Sequence, residues 1–538
     1  MRSLLGRLRS DDGDSLPLGL TLLAAAIAAA AIFPLSWVVL TAIEVEPGRA
    51  FELLVQPATR EVLLNSVLLM AAVTVLSILI GVPLAYLTVR TDLPFSRFWS
   101  VVVALPLVVP SYIGAFAFVS AFGPRGEFHE LLAPLGIERL PNIYGFPGAV
   151  LVITLYTYPY VYLTTRAALL SFDTTLVEAA RTLDHDRWSA FRKVTLPHIR
   201  PAIAAGGLLV ALYAVSDFGT PAIMRLSVFT RQIYVEYHAF GQDYAALLSL
   251  QLLAIVLLVL ALEWWVRPDE TVHSNLQGAG GGTPVSLGRW RWPATLLPAS
   301  VTTLALVVPL WILGLWLVNA EGGRRPSFAF EWSYAVNSVT VAAAAAVVAA
   351  LVALPVGYLS GRYDSPLSNL LDRATYVGFA VPGIVLALAL VYFGARANSL
   401  PAAPQLYPTL ALLVFAYVVR FMPQAVGSIR PSTLQVDPKL VEAARTLGDA
   451  PTRAFRRVTL PLIAPGVVAG GALVFLTTMK ELPATLMLRP TGFETLVTHI
   501  WRAQASAYFQ YAAIPALLLI VISGLSMVVM LSQERLGR

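Results

Sequence analysis

The 538-residue chain contains no cysteine, which excludes disulfides, thiolate metal sites and a cysteine nucleophile. Charge is scarce too: 13% of residues are Asp, Glu, Lys or Arg against 57% hydrophobic ones, with a mean hydropathy of +0.72. That balance lies far outside the range of soluble globular domains. Also missing is a GxxxxGK[ST] phosphate loop, since the glycine-rich "GAGGGTP" has neither the lysine nor a following helix, so the chain cannot itself hydrolyse ATP. Its six histidines show no HExxH or paired spacing. His185, His198 and His238 fall in or near loops, where a solvated histidine is the ordinary reading. A membrane enzyme is therefore disfavoured, no metal ligand set is identified, and no nucleic-acid partner is expected.

What the sequence does have is apolar runs long enough to cross a hydrocarbon core of about 30 Å, which takes roughly 20 helical residues. Twelve recur, near 18–43, 62–89, 98–122, 147–170, 201–223, 244–266, 293–318, 333–360, 373–395, 405–427, 461–487 and 507–532. They are continuous, without the period-2 alternation of a membrane strand, and a helix satisfies its own backbone in lipid. The expected fold class is all-α, a polytopic membrane protein. The first run follows Arg2, Arg7 and Arg9 and has no small-residue cleavage site, so it reads as a retained span and not as a signal peptide.

Short loops rich in Lys and Arg mark the inner side. Both termini are expected to be cytoplasmic, together with "RTDLPFSR", "GRYDSPLSNLLDR" and a central linker over 268–292 whose glycine run implies flexibility. That linker separates a first repeat, 1–267, from a second, 293–538. "NSVLLMAAVTVLSILIGVPLAYLTVR" from Asn65 aligns with "NSVTVAAAAAVVAALVALPVGYLSGR" from Asn337 at an offset of 272, matching Pro83 with Pro355, Tyr86 with Tyr358 and Arg90 with Arg362. Further on the offset falls to 264, and the outer loop between the third and fourth spans of the second repeat is the expected place of the loss. Six spans per repeat imply parallel repeats about a pseudo-twofold axis along the membrane normal.

The offset of 264 relates "VEAARTLDHDRWSAFRKVTLPHIRPAI" from Val177 to "VEAARTLGDAPTRAFRRVTLPLIAPGV" from Val441. Each segment begins with an acid and two alanines, Glu178-Ala179-Ala180 and Glu442-Ala443-Ala444, and ends at "TLP" with Pro197 and Pro461. The spacing of Leu176, Ala180 and Leu183 predicts one short amphipathic helix, or two joined at a turn, outside the bilayer. A basic face on anionic lipid is one reading. The alanines favour another, because small side chains permit close approach of a protein and add nothing to lipid association.

In these segments the chain resembles the permease subunits of ATP-binding-cassette importers, with their EAA loop, a glycine at Gly448 and the later Leu460-Pro461. The first repeat departs from the pattern, with Asp184 in the glycine's place. The resemblance implies a type I (MetI-like) permease fold in a bacterial inner membrane. It also implies coupling helices at about 173–195 and 437–459 that dock on a homodimer of ATPase subunits, which use the ATP and magnesium; this chain would bind no cofactor of its own. An extracytoplasmic binding protein would deliver the substrate.

After each loop, "LYAVSDFGTPAIMRLSVFTRQIYVEY" aligns with "LTTMKELPATLMLRPTGFETLVTHIW", pairing Asp217 with Glu481 and Arg225 with Arg489, while Lys480 has no basic counterpart. Ionisable groups inside spans are functional candidates, and two carboxylates would suit a hard cation. Equally, the acids can neutralise Arg225, Arg489 or Lys480 at the outer membrane edge. These two stretches resemble the fused permeases of ferric-iron importers, which makes ferric iron the expected cargo. Thiamine, phosphonate, sulfate or polyamine remain alternatives within the same architecture. A self-contained twelve-span secondary transporter is the alternative of another class, and it leaves both EAA loops unexplained. Reporters inserted in the 268–292 linker and after Arg538 should both read as cytoplasmic; an external signal at either place contradicts the six-plus-six arrangement.

Overall fold

The computed structural model describes residues 16–123, 126–128, 136, 142–173, 175–182, 186–266, 284–319, 328–401 and 404–536. Asp184 and linker residues 268–283 lie outside this set. Among the described residues the regular structure is helical, apart from one isolated bridge between Thr91 and Val285.

Among the described residues nine helices are long and apolar enough to span a membrane: Leu18–Glu44, Pro57–Arg90, Phe146–Ser171, Trp188–Ser216, Gln242–Leu262, Gly288–Val318, Trp332–Arg362, Leu410–Leu434 and Pro451–Met479. In chain order they are spans 1, 2, 4, 5, 6, 7, 8, 10 and 11 of the sequence reading. Span 12 is the shorter apolar helix Phe509–Leu525. Spans 3 and 9 are broken: Ser96–Val108 meets Ser111–Phe122 at 93°, and Pro366–Ala380 meets Gly383–Asn398 at 97°. The all-α polytopic fold is thus the observed one. Large apolar side chains such as Leu79 and Leu351 stay more than half exposed, as lipid-facing residues do.

The breaks follow from Pro110 and Pro382. Each proline lacks an N–H and pushes its predecessor out of helical geometry. Val109 and Val381 accordingly adopt extended conformations, with ψ of 124° and 129°. The connection from span 3 to span 4, 123–145, is longer than that from span 9 to span 10, 399–409, which is where the repeat offset changes.

The chain divides into two compact units that do not follow its order. One comprises Phe51–Phe240 and Gln251–Glu321; the other comprises Met1–Ala50, Gly241–Leu250 and Gly322–Arg538. In the second unit, span 1 packs against spans 8 and 9 although it precedes them by some 300 residues. Phe33 meets Phe393 edge-on at 5.1 Å, and Glu44 pairs with Arg396 at 2.9 Å. The first unit treats span 7 in the same way: Trp316 lies 4.9 Å from Phe116 of span 3, and Tyr156 of span 4 donates to the Ala305 carbonyl at 3.0 Å. The first span of each repeat is therefore exchanged. The end of the linker is also fixed, since Val285 N–H donates to the Arg90 carbonyl at 2.8 Å and Leu287 N–H to Asp92 Oδ1 at 2.8 Å.

Spans 4 and 5, and their counterparts 10 and 11, approach closely at the matched glycines Gly206 and Gly470. A Cβ at Gly470 would lie 2.8 Å from Ala425 Cα, and one at Gly206 would lie 2.7 Å from Val161 Cα. Gly470→Val should lower the thermal midpoint of the purified protein, since overpacking costs about 1–3 kcal/mol. Gly471→Ala, where a Cβ meets nothing nearer than 3.9 Å, should leave it unchanged. Equal effects from the two variants would contradict this packing.

Candidate functional site: two matched loops and two broken spans

The loop after span 4 forms two short helices, Thr175–Thr182 and Arg187–Ala190; the loop after span 10 forms Pro438–Thr446 and Pro451–Ala454. In the second loop two helices joined at a turn is the observed form; residues 183–185, between the two helices of the first loop, lie outside the described residues. Matched aspartates start each loop by satisfying a free N–H of the first turn. Asp173 accepts from Thr175 N–H and Asp437 from Lys439 N–H, both at 2.9 Å. The contact holds the Asp173 carboxyl below its ordinary pKa. Neither aspartate stood out in the sequence.

Gly448 ends the helix of the second loop with φ of +91°, donating to the Arg445 carbonyl at 3.0 Å while Asp449 N–H reaches back to Ala444 O at 3.1 Å. A residue without Cβ fits this left-handed helix stop. Asp184, in the glycine's place in the first loop, lies outside the described residues. Glu178, Glu442 and Ala443 are solvent-exposed, and Ala179 and Ala180 belong to the helix Thr175–Thr182. Leu447 is 88% exposed, and Leu440, Leu176 and Trp188 are exposed beside it in sequence or in the matched loop.

Pro197 and Pro461 explain how each loop joins its span. Without a proline N–H to close the α-helical ladder, the chain widens into a π turn at Phe191–Thr195 and Phe455–Thr459. Leu196 N–H donates to Phe191 O, and Leu460 N–H to Phe455 O. These turns hold aromatic contacts of the same geometry in both repeats: Tyr86 against Phe191, and Tyr358 against Phe455, each at 5.1 Å and 76°. Arg90 additionally donates to the Leu169 and Phe172 carbonyls at the end of span 4, at 2.5 and 3.1 Å. Each loop is thus continuous with one span and clamped to another.

The matched acids lie at the breaks in spans 3 and 9. Asp217 accepts from Ser111, the first residue after the break in span 3, at 3.0 Å, and from Gly219 N–H at 3.2 Å. Tyr213 in turn donates to Ser111 Oγ at 3.1 Å. Glu481 accepts from Ala484 N–H at 3.2 Å and pairs with Arg420 at 3.4 Å. It faces Gly383, the first residue after the break in span 9, where a Cβ would come within 2.6 Å of Glu481 Oε1 and 2.4 Å of Arg420 Nη1. Arg420 also donates to the Val381 carbonyl at 3.2 Å, satisfying a group that the break leaves open. Both carboxylates therefore sit at the positive N-terminal end of a half-helix.

Neither acid pairs with Arg225 or Arg489 among the described residues. Arg225 has a φ of +57° and lies over the Tyr144 ring at 4.7 Å, and Arg489 pairs with Glu494 at 2.8 Å. Lys480 ends the span 11 helix, next to Glu481, with its N–H on the Thr477 carbonyl. Arg420, the true partner of Glu481, was missed because its counterpart at the offset of 264 is Tyr156, so no repeat marks it. The described residues contain no cluster of three or more metal-ligating side chains.

The family model described as "Binding-protein-dependent transport system inner membrane component" matches residues 74–267 and again 353–538. The chain belongs to this family. Both matches begin inside spans 2 and 8, leaving out the exchanged spans 1 and 7. Among its relatives, the permease is 32% identical to the Fe(3+)-transport system permease protein FbpB 2 of Haemophilus influenzae, over 95% of this chain and 97% of that one. It is 24% identical to the ferric transport system permease protein FbpB of Actinobacillus pleuropneumoniae, over 82% and 66%. The molybdenum transport system permease protein ModB of Mycobacterium tuberculosis is 31% identical over 40% of this chain and 83% of its own.

If Gly448 sets the loop's shape, Gly448→Val should reduce ATP-driven transport by the permease at unchanged membrane yield. A left-handed L-residue costs roughly 1–2 kcal/mol, and the glycine is remote from the packed spans. Normal transport by this variant would contradict the role given to the turn.

Proposed function

We propose that this permease forms the translocation pathway of an ATP-driven importer of ferric iron in a bacterial inner membrane. The observation that carries the cargo is full-length similarity to a ferric permease, at 32% identity over 95% of the chain. The molybdenum relative cited above spans 40% of the chain, so its likeness reaches a single repeat's worth of sequence. On this reading the permease is not an enzyme. A pair of identical ATPase subunits hydrolyses ATP with magnesium and docks on the loops at 173–195 and 437–459. An extracytoplasmic binding protein supplies the iron, and both termini face the cytoplasm.

The docking assignment draws support from chemistry as well as family. An exposed Leu447 beside exposed charges is a poor lipid anchor and a good small contact for a protein groove. Glu178, Ala179, Ala180, Asp184 and Pro197 in one loop, and Glu442, Ala443, Ala444, Gly448 and Pro461 in the other, are the proposed coupling residues. Of the pathway candidates Asp217, Arg225, Lys480, Glu481 and Arg489, the two held in ion pairs, Glu481 with Arg420 and Arg489 with Glu494, are proposed to serve structure. Mechanically, closure of two ATPases moves two loops, and the clamped spans re-orient with them.

Cells lacking this chain, tested with ferric iron, molybdate, sulfate and thiamine, should lose ferric-iron uptake selectively and regain it with the chain restored. Loss of another solute alone would replace the cargo. An ATPase should co-purify with the permease; a chain that purifies alone and transports without ATP would be a secondary carrier.

A further inference from the structure

The two acids at the broken spans occupy matched positions, yet their surroundings differ in charge. Glu481 is 7% exposed and pairs with Arg420, and Lys480 precedes it. At the position matching Arg420 the first repeat has Tyr156, an uncharged side chain already committed to the Ala305 carbonyl. At the position matching Lys480 it has Ser216. The partners of Asp217 are uncharged donors, Ser111 Oγ and Gly219 N–H, and no ion pair among the described residues includes it.

Removing a carboxylate from water without a counter-ion is costly. One repeat meets that cost with a fixed arginine. The other has no fixed counter-ion among the described residues, so an arriving cation would supply the missing positive charge. A multivalent cation is repelled by Arg420, fixed beside Glu481, and attracted to Asp217, which has no ion-pair partner among the described residues, and repulsion between charges is strong at close range inside a protein. Hard oxygen donors are present beside Asp217 in Ser111 and Tyr213, which donates to Ser111 at 3.1 Å.

We propose that Asp217, and not its counterpart Glu481, is the carboxylate that meets the cation during translocation, while Glu481 holds the break of span 9 together through Arg420. The proposal rests on the ferric-iron reading and adds to it an unequal division of labour between the repeats.

The test uses the whole complex of permease, ATPase and iron-loaded binding protein in proteoliposomes, with uptake expressed per assembled complex. Asp217→Asn keeps size, its oxygen can still accept from Gly219 N–H, and its amide can donate to the Ser111 hydroxyl; it should assemble normally and lose uptake by about tenfold or more. Asp217→Glu should restore part of the uptake. Glu481→Gln should lower yield and thermal midpoint while leaving uptake per complex within about twofold. Adding Arg420→Gln to Glu481→Gln should recover part of the midpoint, because no unpaired charge remains.

Wild-type uptake by Asp217→Asn, or equal losses per complex from Asp217→Asn and Glu481→Gln, would overturn the proposal while iron transport itself stood. A wild-type complex that imports no ferric iron would overturn the cargo reading and this proposal with it.

Discussion

A helix broken inside a membrane must re-satisfy the backbone groups it frees, because hydrocarbon offers them nothing. The rest of this permease is arranged around two such breaks. Pro110 and Pro382 open spans 3 and 9, and each second half-helix begins against a carboxylate carried at the end of the span that follows the EAA loop. In one repeat Ser111 reaches Asp217. In the other, Gly383 leaves room for Arg420 to lie between Glu481 and the open carbonyl of Val381. The break, the acid and the EAA loop are thus linked by one helix, span 5 or span 11.

That helix is also the mechanical connection. It starts in the π turn enforced by Pro197 or Pro461, where Phe191 or Phe455 meets a tyrosine of span 2 or span 8, and it ends at the acid beside the break. A displacement of the loop would be passed along a packed helix and not dissipated in a flexible joint, since Gly206 and Gly470 keep that helix in close contact with its neighbour. Interfaces packed this closely switch between discrete arrangements and do not deform gradually. The coupling of loop to pathway is proposed; the continuity of the covalent and packed route is structural.

Much of this was legible in the sequence. Spans, repeats and loops follow from hydropathy and the offsets of 272 and 264, and matched residues such as Tyr86 and Tyr358 prove to make matched contacts. The repeat of "NS" at Asn65 and Asn337 was visible without its role: Ser66 and Ser338 accept from the N–H groups of Phe229 and Leu496, which open helices before spans 6 and 12. The breaks were not legible, because Pro34, Pro83, Pro159, Pro355 and Pro423 lie within intact helices. A proline breaks a span only where tertiary contacts accept the freed groups. Nor was the exchange of spans 1 and 7 legible, since an apolar run looks the same whichever neighbour it packs on. Repeat logic finds what the repeats share, and so it passed over Arg420.

The central claim is that one ATP-driven event moves both EAA loops. The absence of cysteine makes a direct measurement possible: spin labels at Arg192→Cys and Arg456→Cys, matched and exposed positions in the two loops, report a distance distribution in the assembled complex. The account predicts that this distribution shifts when ATP is trapped on the ATPase and returns on its release. A single unchanged distribution in both states, in a complex that still transports, would contradict it.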